Sequence, residues 1–395
     1  MGSQDEFHIT SVIALHGIAA DGDALLIGVQ IDQHTGWGMC TGLFAQHSDG
    51  YNMAAVTRMM HTVVAPALKE RPFTTIRDLF QRIDALTETI TEPAPNRSPS
   101  VSRRQILAGQ FHPQSQTPLV PRKRPLPPAL RFGIGQAALQ AAADARQMSP
   151  VRLITANYEL KQRKTAVGIH LAVTDENMHI ARPILRHHVK SVGYQISRKN
   201  PQTQLGTQAE HLQKLVSELA QWLQNNYANY RPFIHINLQG AFTNLFGSDT
   251  AAALTSLQAL QKAAAPLRLR IENIYDAVDA APTELFNLLT PLVEHDEAAV
   301  QIVAGCPHYP VSTVAALVQW GKIDGVHLDV TQVGSLDKTI KLIGTCQEKG
   351  IAVMLSGGST VRGVETAVHL AAATGAEMVA GPPDLVHNEL QRLKF

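Results

Sequence analysis

The sequence predicts an α/β protein: a (β/α)₈ barrel with an α+β segment in front of it. Three observations lead there. From residue 129 onward, strand-like and helix-like stretches alternate about eight times, in the roughly 250 residues that a barrel of this kind needs. Several of the strand candidates end in polar residues, where barrel chemistry sits. A proline-rich, basic stretch separates this half from the first. The boundaries read as 1–92, an α+β segment; 93–128, a connector; and 129–395, the barrel. An open doubly wound sheet is the alternative.

In the first segment, "ALLIGVQID" and "GWGMCTGLF" have strand character, with a turn at "QHTG" between them. "TVVAPALKER" and "TIRDLFQRIDALTETI" carry the apolar spacing of amphipathic helices. The connector has basic clusters at Arg103–Arg104 and Arg122–Lys123–Arg124. No aromatic residues interleave with them, so they read as a solvated, extended segment and not as a nucleic-acid contact.

In the second half, strands are expected at 151–154, near 179–187, and at 233–238, 267–272, 300–304, 325–330, 350–355 and 377–380. Helices are expected at 207–226, 250–264, 283–293, 311–320, 335–348, 360–373 and 383–393. The alternation implies parallel strands joined by crossover helices. "GIGQAA", 133–138, imitates a dinucleotide fingerprint, but the proline-rich "RPLPPALRF" before it cannot be a central strand. Residues 130–146 read instead as an alanine-rich helix packed closely through small residues.

The chain is 45% hydrophobic and 17% charged, with formal charge +1. That composition allows a large core and gives no electrostatic reason for a nucleic-acid partner or an anionic membrane surface. Cys40, Cys306 and Cys346 are too widely spaced for a disulfide framework or a zinc ribbon. With no secretion signal at the N-terminus and no apolar run of membrane-spanning length, a cytoplasmic setting is expected.

The strand ends present Asn237 in "FIHINLQG", Glu272 in "LRLRIEN", Gly305 in "VQIVAGCP", Asp329 in "VHLDV" and Ser356 through Thr360 in "VMLSGGST". Strand alternation puts His235 under Asn237, Arg270 under Glu272 and His327 under Asp329. Buried charges are costly unless paired. These groups therefore form either a self-satisfied structural network or a substrate pocket.

From about residue 129 to the end, the chain resembles methylaspartate ammonia-lyase of the enolase superfamily. "LRFGIGQAAL", "HINLQG", "ALQKAAAPLRLRIENIYDAVD", "QIVAG" and "GIAVMLSGGST" carry the resemblance. "GVQIDQHTGWGMC" resembles the capping domain that closes over such barrels. The implied fold is the enolase-type (β/α)₈ TIM-like barrel with an N-terminal α+β capping domain. The implied chemistry is removal of a proton α to a carboxylate, followed by loss of ammonia. Three acidic residues hold Mg²⁺ in that family, and their positions fall here on Asn237, Glu272 and Gly305. Only Glu272 is a carboxylate, so any metal would rest weakly on Glu272 and a strong Mg²⁺ site is not expected. Asp329 stands where the family has a catalytic lysine. His187, beside His188 in "LRHHVK", matches the histidine of strand two. Ser359 and Thr360 match pocket-lining positions, and Gln46 matches a capping-domain contact.

The resulting expectation is a divergent lyase or isomerase of amino-acid metabolism, acting on a small amino acid or carboxylate as a homodimer. Asp329 and His187 are its acid/base residues. Arg270, Asn237, Glu272, His327, Ser359, Thr360 and Gln46 bind substrate, with Arg270 supplying the positive charge a metal would bring. The alternative is a barrel without catalysis, kept as a binding or interaction protein.

Overall fold

The computed structural model describes residues 6–19, 22–43, 51–93, 119–161, 166–173, 189–199, 201–226, 229–276, 282–294, 300–306 and 308–393. Strands β1 (Ile9–Ala19), β2 (Gly22–Ile31) and β3 (His34–Cys40) form an antiparallel meander. The β2–β3 turn lies at Asp32–Gln33, slightly earlier than "QHTG", with Asp32 in the left-handed region at φ 53°. The helical stretch Met53–Lys69 and the helix Ile76–Ala85 follow. β4 (Thr87–Pro93) pairs antiparallel with β5 (Leu119–Pro125), so the end of the stretch read as connector is a strand.

Eight parallel strands close a barrel in sequence order: β6 (Gly168–Val173), β7 (Ser191–Gln195), β8 (Phe233–Asn237), β9 (Leu269–Glu272), β10 (Gln301–Gly305), β11 (Gly325–Asp329), β12 (Ala352–Ser356) and β13 (Met378–Ala380). The fold is thus the enolase-type barrel with an N-terminal antiparallel sheet, not an open sheet. The last six strands lie where the sequence puts them. The first does not: residues 150–157 form a helix, Pro150–Asn157, whose N-terminus is capped by the Ser149 hydroxyl accepting from the Arg152 amide. Proline at the first helical position and a serine cap outweigh the short apolar run "VRLI". The barrel opens instead at β6, and the strand read near 179–187 falls in 174–188, outside the described residues.

Helix Pro128–Ala145 contains "GIGQAA" and fastens the N-terminal sheet to the barrel. A Cβ at Gly38 would lie 1.9 Å from the Gly133 carbonyl oxygen, and one at Gly36 would lie 2.1 Å from that of Ala137. Only glycine permits this approach. On the helix, Gln136 accepts from the Met39 amide at 2.9 Å and donates to the Arg362 carbonyl and Thr366 hydroxyl, both at 2.6 Å. One side chain therefore ties β3 to the helix Val361–Thr374. Among the described residues, no helix is long and apolar enough to cross a membrane.

Candidate active site at the barrel mouth

Strand register assembles the centre of the barrel. Asn237 pairs with Glu272, Gly305 with His327, and Asp329 with Ser356 across neighbouring strands. Glu272 is 1% exposed, and its carboxylate is the hub. It accepts from His235 Nε2 at 2.8 Å, Asn237 Nδ2 at 3.0 Å, Asn273 Nδ2 at 3.2 Å and His327 Nδ1, which lies 3.2 Å from both oxygens. An ionised carboxylate offers about four lone-pair sites, and four donors fill them. Burial by itself would raise the Glu272 pKa, but His327 and His235 outweigh it and hold the group well below the usual carboxylate range. Burial pulls His327 down, yet Glu272 wins and raises its imidazole above the ordinary value. His327 Nε2 lies 2.9 Å from the hydroxyl of Ser356.

Two glycines make the room. A Cβ at Gly305 would lie 2.2 Å from Glu272 Oε1, and one at Gly193 would lie 2.3 Å from the His170 ring. Asn273, left-handed at φ 54°, accepts from the Gly305 amide at 2.7 Å while donating to Glu272. His170 is buried edge-on to His235, with its Nδ1 3.0 Å from the Ser191 hydroxyl. Burial, with His235 next, pushes its pKa well down, so it is a neutral imidazole. Because Glu272 only accepts, His235 Nε2 carries a proton. His235 Nδ1 has no hydrogen-bond partner among the described residues.

The Mg²⁺ implied by the family does not fit these residues. Glu272 is saturated. The Asn237 oxygen is turned away to accept from the Gln239 amide at 3.0 Å, and Gly305 has no donor side chain. Among the described residues, no group of three or more His, Cys, Asp or Glu side chains is placed to hold a metal ion.

Asp329 ends β11 and caps the short helix Val330–Val333. Its Oδ1 accepts from the Thr331 amide at 2.9 Å, the Thr331 hydroxyl at 2.5 Å and the Gln332 amide at 3.4 Å. Thr331 and Gln332 in turn line a cavity of about 870 Å³. Gly358 and Ser359 of the barrel line it too, together with Thr41–Leu43, Tyr51, Arg124 and Arg131 from the N-terminal side. Its arginines are held in place: Arg124 donates to Glu88 at 2.7 Å and to the Tyr51 hydroxyl at 2.6 Å, and Arg131 to Asp84 at 3.3 Å. Ser359 is thus one of the residues that line this cavity.

Other expected residues lie elsewhere. Arg270 is two residues short of the strand end, so its side chain belongs to the N-terminal end of the barrel. There it pairs with Glu377 at 3.0 Å, donates to Gln301 at 2.7 Å and stacks on Phe233. It gives the mouth no charge, and its partner is neither Glu272 nor Asp329. Thr360 is the N-cap of helix Val361–Thr374, accepting from the Gly363 amide at 3.0 Å, and does not line the cavity. His187 and Gln46 lie outside the described residues. The second barrel strand, β7, runs from Ser191 to Gln195.

The sequence reading missed a second polar group on the mouth. Arg198, after β7, donates to His308 Nδ1, and His308 Nε2 faces Asp276 at 3.4 Å. Burial, then Arg198, depresses the His308 pKa. "GCPH" gave no warning, because the two partners of His308, Arg198 and Asp276, come from loops far apart in sequence. His170 was missed because β6 was missed.

Comparison with known proteins agrees with this architecture. The family described as methylaspartate ammonia-lyase C-terminus matches residues 164–392, more than half of the chain. Methylaspartate ammonia-lyase 2 of Carboxydothermus hydrogenoformans is 25% identical over 285 residues, 68% of each chain. The Clostridium tetanomorphum enzyme is 24% identical over 282 residues, 67% of each. Among solved structures, the Mg complex of β-methylaspartase from Clostridium tetanomorphum superposes with TM-score 0.75 at 17% identity, covering 98% of both chains. A mandelate racemase/muconate lactonizing enzyme from Bordetella bronchiseptica gives 0.61 at 15% identity, over 95% of this chain and 87% of that one. The chain belongs to the methylaspartate ammonia-lyase family.

Proposed function

We propose that this chain is a divergent methylaspartate ammonia-lyase-like enzyme, performing lyase or isomerase chemistry on a small amino acid or carboxylate without a Mg²⁺ site. Residues 1–92 act as the cap, 93–128 as the connector and 129–395 as the catalytic barrel. Asp329 is the acid/base residue. The observation that carries this reading is the position of Asp329 behind Thr331 and Gln332, which line the large cavity between barrel and cap. Its Oδ1 is taken by those donors, so Oδ2 is the oxygen assigned to the substrate proton. Thr331, Gln332 and Ser359 provide hydroxyls and an amide suited to a carboxylate or an ammonium group. Three buried free thiols, Cys40, Cys306 and Cys346, support the cytoplasmic setting, and the homodimer rests on family resemblance alone.

The test is proton exchange. The purified protein is incubated in D₂O with aspartate, 3-methylaspartate, glutamate and related small acids, and loss of C–H signals is followed by NMR. Exchange into one of them, lowered about 10²–10⁴-fold by Asp329→Asn, is the expected result. The saturated Glu272 favours a second reading, a barrel that binds but does not catalyse. Saturable binding with no exchange in any substrate would establish that reading and end the first.

A further inference from the structure

The proposed proton chemistry leaves a constellation at the mouth unexplained. Ser356 Oγ lies 2.9 Å from His327 Nε2, and His327 Nδ1 lies 3.2 Å from the Glu272 carboxylate. We propose that Ser356, His327 and Glu272 form a nucleophilic triad, giving the barrel an acyl-transfer activity toward carboxylic esters or amides with a small polar acyl group.

The roles follow from hydrogen-bond chemistry. Ionised Glu272 can only accept, so His327 Nδ1 carries the proton between them. In the neutral imidazole, Nε2 is then bare and accepts the Ser356 hydroxyl proton. That is the tautomer a nucleophilic serine requires, with the base oriented by a third group. Ser356 is only partly buried and ends β12, at the end of the barrel where chemistry occurs. After it, the chain turns sharply. A Cβ at Gly357 would lie 2.0 Å from the Gly363 carbonyl oxygen, so the turn packs onto the first turn of helix Val361–Thr374. Gly358 and Ser359, in the same turn, line the cavity of about 870 Å³, so a ligand seated there would lie next to the turn that begins at Ser356.

The step balances with water as the co-reactant. Ser356 Oγ bonds to the carbonyl carbon and its proton passes to His327 Nε2. The carbon–oxygen or carbon–nitrogen bond to the leaving group breaks, and the leaving group takes that proton. Water then attacks the acyl-Ser356 ester, with His327 again accepting and returning a proton, releasing the acid and the free serine. His327 and Ser356 are the catalytic residues. Glu272 is a positioning residue.

The test uses the full chain, p-nitrophenyl acetate and a fluorophosphonate probe. The expected result is a burst of nitrophenolate and a single phosphonyl adduct that peptide mass spectrometry places on Ser356. Ser356→Ala should abolish both. His327→Gln should slow labelling about 10²-fold or more. Glu272→Gln should lower kcat per active site, with sites counted by the fluorophosphonate label, and should move the pH profile of labelling, which a smaller folded fraction does not do. Since Ser356→Ala also removes a hydrogen bond, Ser356→Cys serves as the second variant and should be alkylated selectively at position 356 by iodoacetamide. No burst and no adduct in the native protein, an adduct on Ser359, or labelling indifferent to His327→Gln would each overturn the triad.

Discussion

Glu272 occupies the space that a side chain at Gly305 would need: a Cβ there would lie 2.2 Å from Oε1. The glycine and the saturated carboxylate are therefore one feature. Gly305→Ala should push Glu272 out of reach of at least one donor. The expected loss is about 1–3 kcal/mol, the range for a buried polar group left unpaired, read from urea denaturation. Gly344 lies in helix Leu336–Glu348 with open space around its Cβ position, so Gly344→Ala is the control and should be neutral or slightly stabilising. Equal effects at the two sites would remove the coupling between Gly305 and Glu272.

A carboxylate with four donors has no lone pair for a cation. Purified protein should therefore hold less than about one-tenth equivalent of divalent metal, since tight sites need several free ligands. EDTA should leave ligand binding unchanged, and added Mg²⁺ should not move the melting temperature. Metal analysis showing one Mg²⁺ or Mn²⁺ per chain would contradict the hydrogen bonding seen at Glu272.

The same cluster should set a pH window for stability. Glu272 has a depressed pKa, so its contribution is present above the unfolded value, about 4.3, and is lost as pH falls through the folded one. His327 has a raised pKa, so its contribution is full below about 6.5 and is lost as pH rises through the folded value. Both act together between about pH 4.5 and 6.5. The stability gap between native protein and Glu272→Gln should be widest there, at about 3–5 kcal/mol for a broken buried pair, and should narrow on either side. Removing Glu272 takes away a charge that favours the His170 imidazolium, so His170 stays neutral in both proteins across this window. A gap flat from pH 4 to 9 would exclude the linkage (bounds set by the reference values above).

Arg270 bears on stability and not on ligand binding. It stacks on Phe233 and pairs with Glu377, which Lys190 also holds at 2.9 Å. Arg270→Met should cost about 2–4 kcal/mol, somewhat less than an isolated buried pair because Lys190 remains. Activity per folded molecule should be unchanged. Loss of binding at full stability would return Arg270 to the mouth.

Trypsin should nick the basic, proline-rich stretch at Arg103–Arg104. The two pieces should nonetheless elute together on gel filtration and separate only in denaturant. β4 pairs with β5 along their whole length, and helix Pro128–Ala145 lies directly on β3. Pieces that part under native conditions would show that those contacts are weak.

The sequence by itself determined the repeating architecture, because hydrophobic periodicity is local and each barrel strand after the second announces itself as a short apolar run before an amphipathic helix. It also determined which residues end those strands, since alternation fixes the facing of Asn237, Glu272, His327 and Asp329 once a strand is placed. It failed at β6 and β7, where capping chemistry at Ser149–Pro150 turned an apolar run into a helix. Tertiary structure alone decided depth and pairing. Alternation says that Arg270 faces inward but not that Glu377 waits at the other end of the barrel. Nor does it say that two glycines far apart in the chain open the space in which three histidines and Glu272 meet. Those contacts join residues dozens to more than a hundred positions apart, and only closure of the barrel brings them within hydrogen-bonding distance.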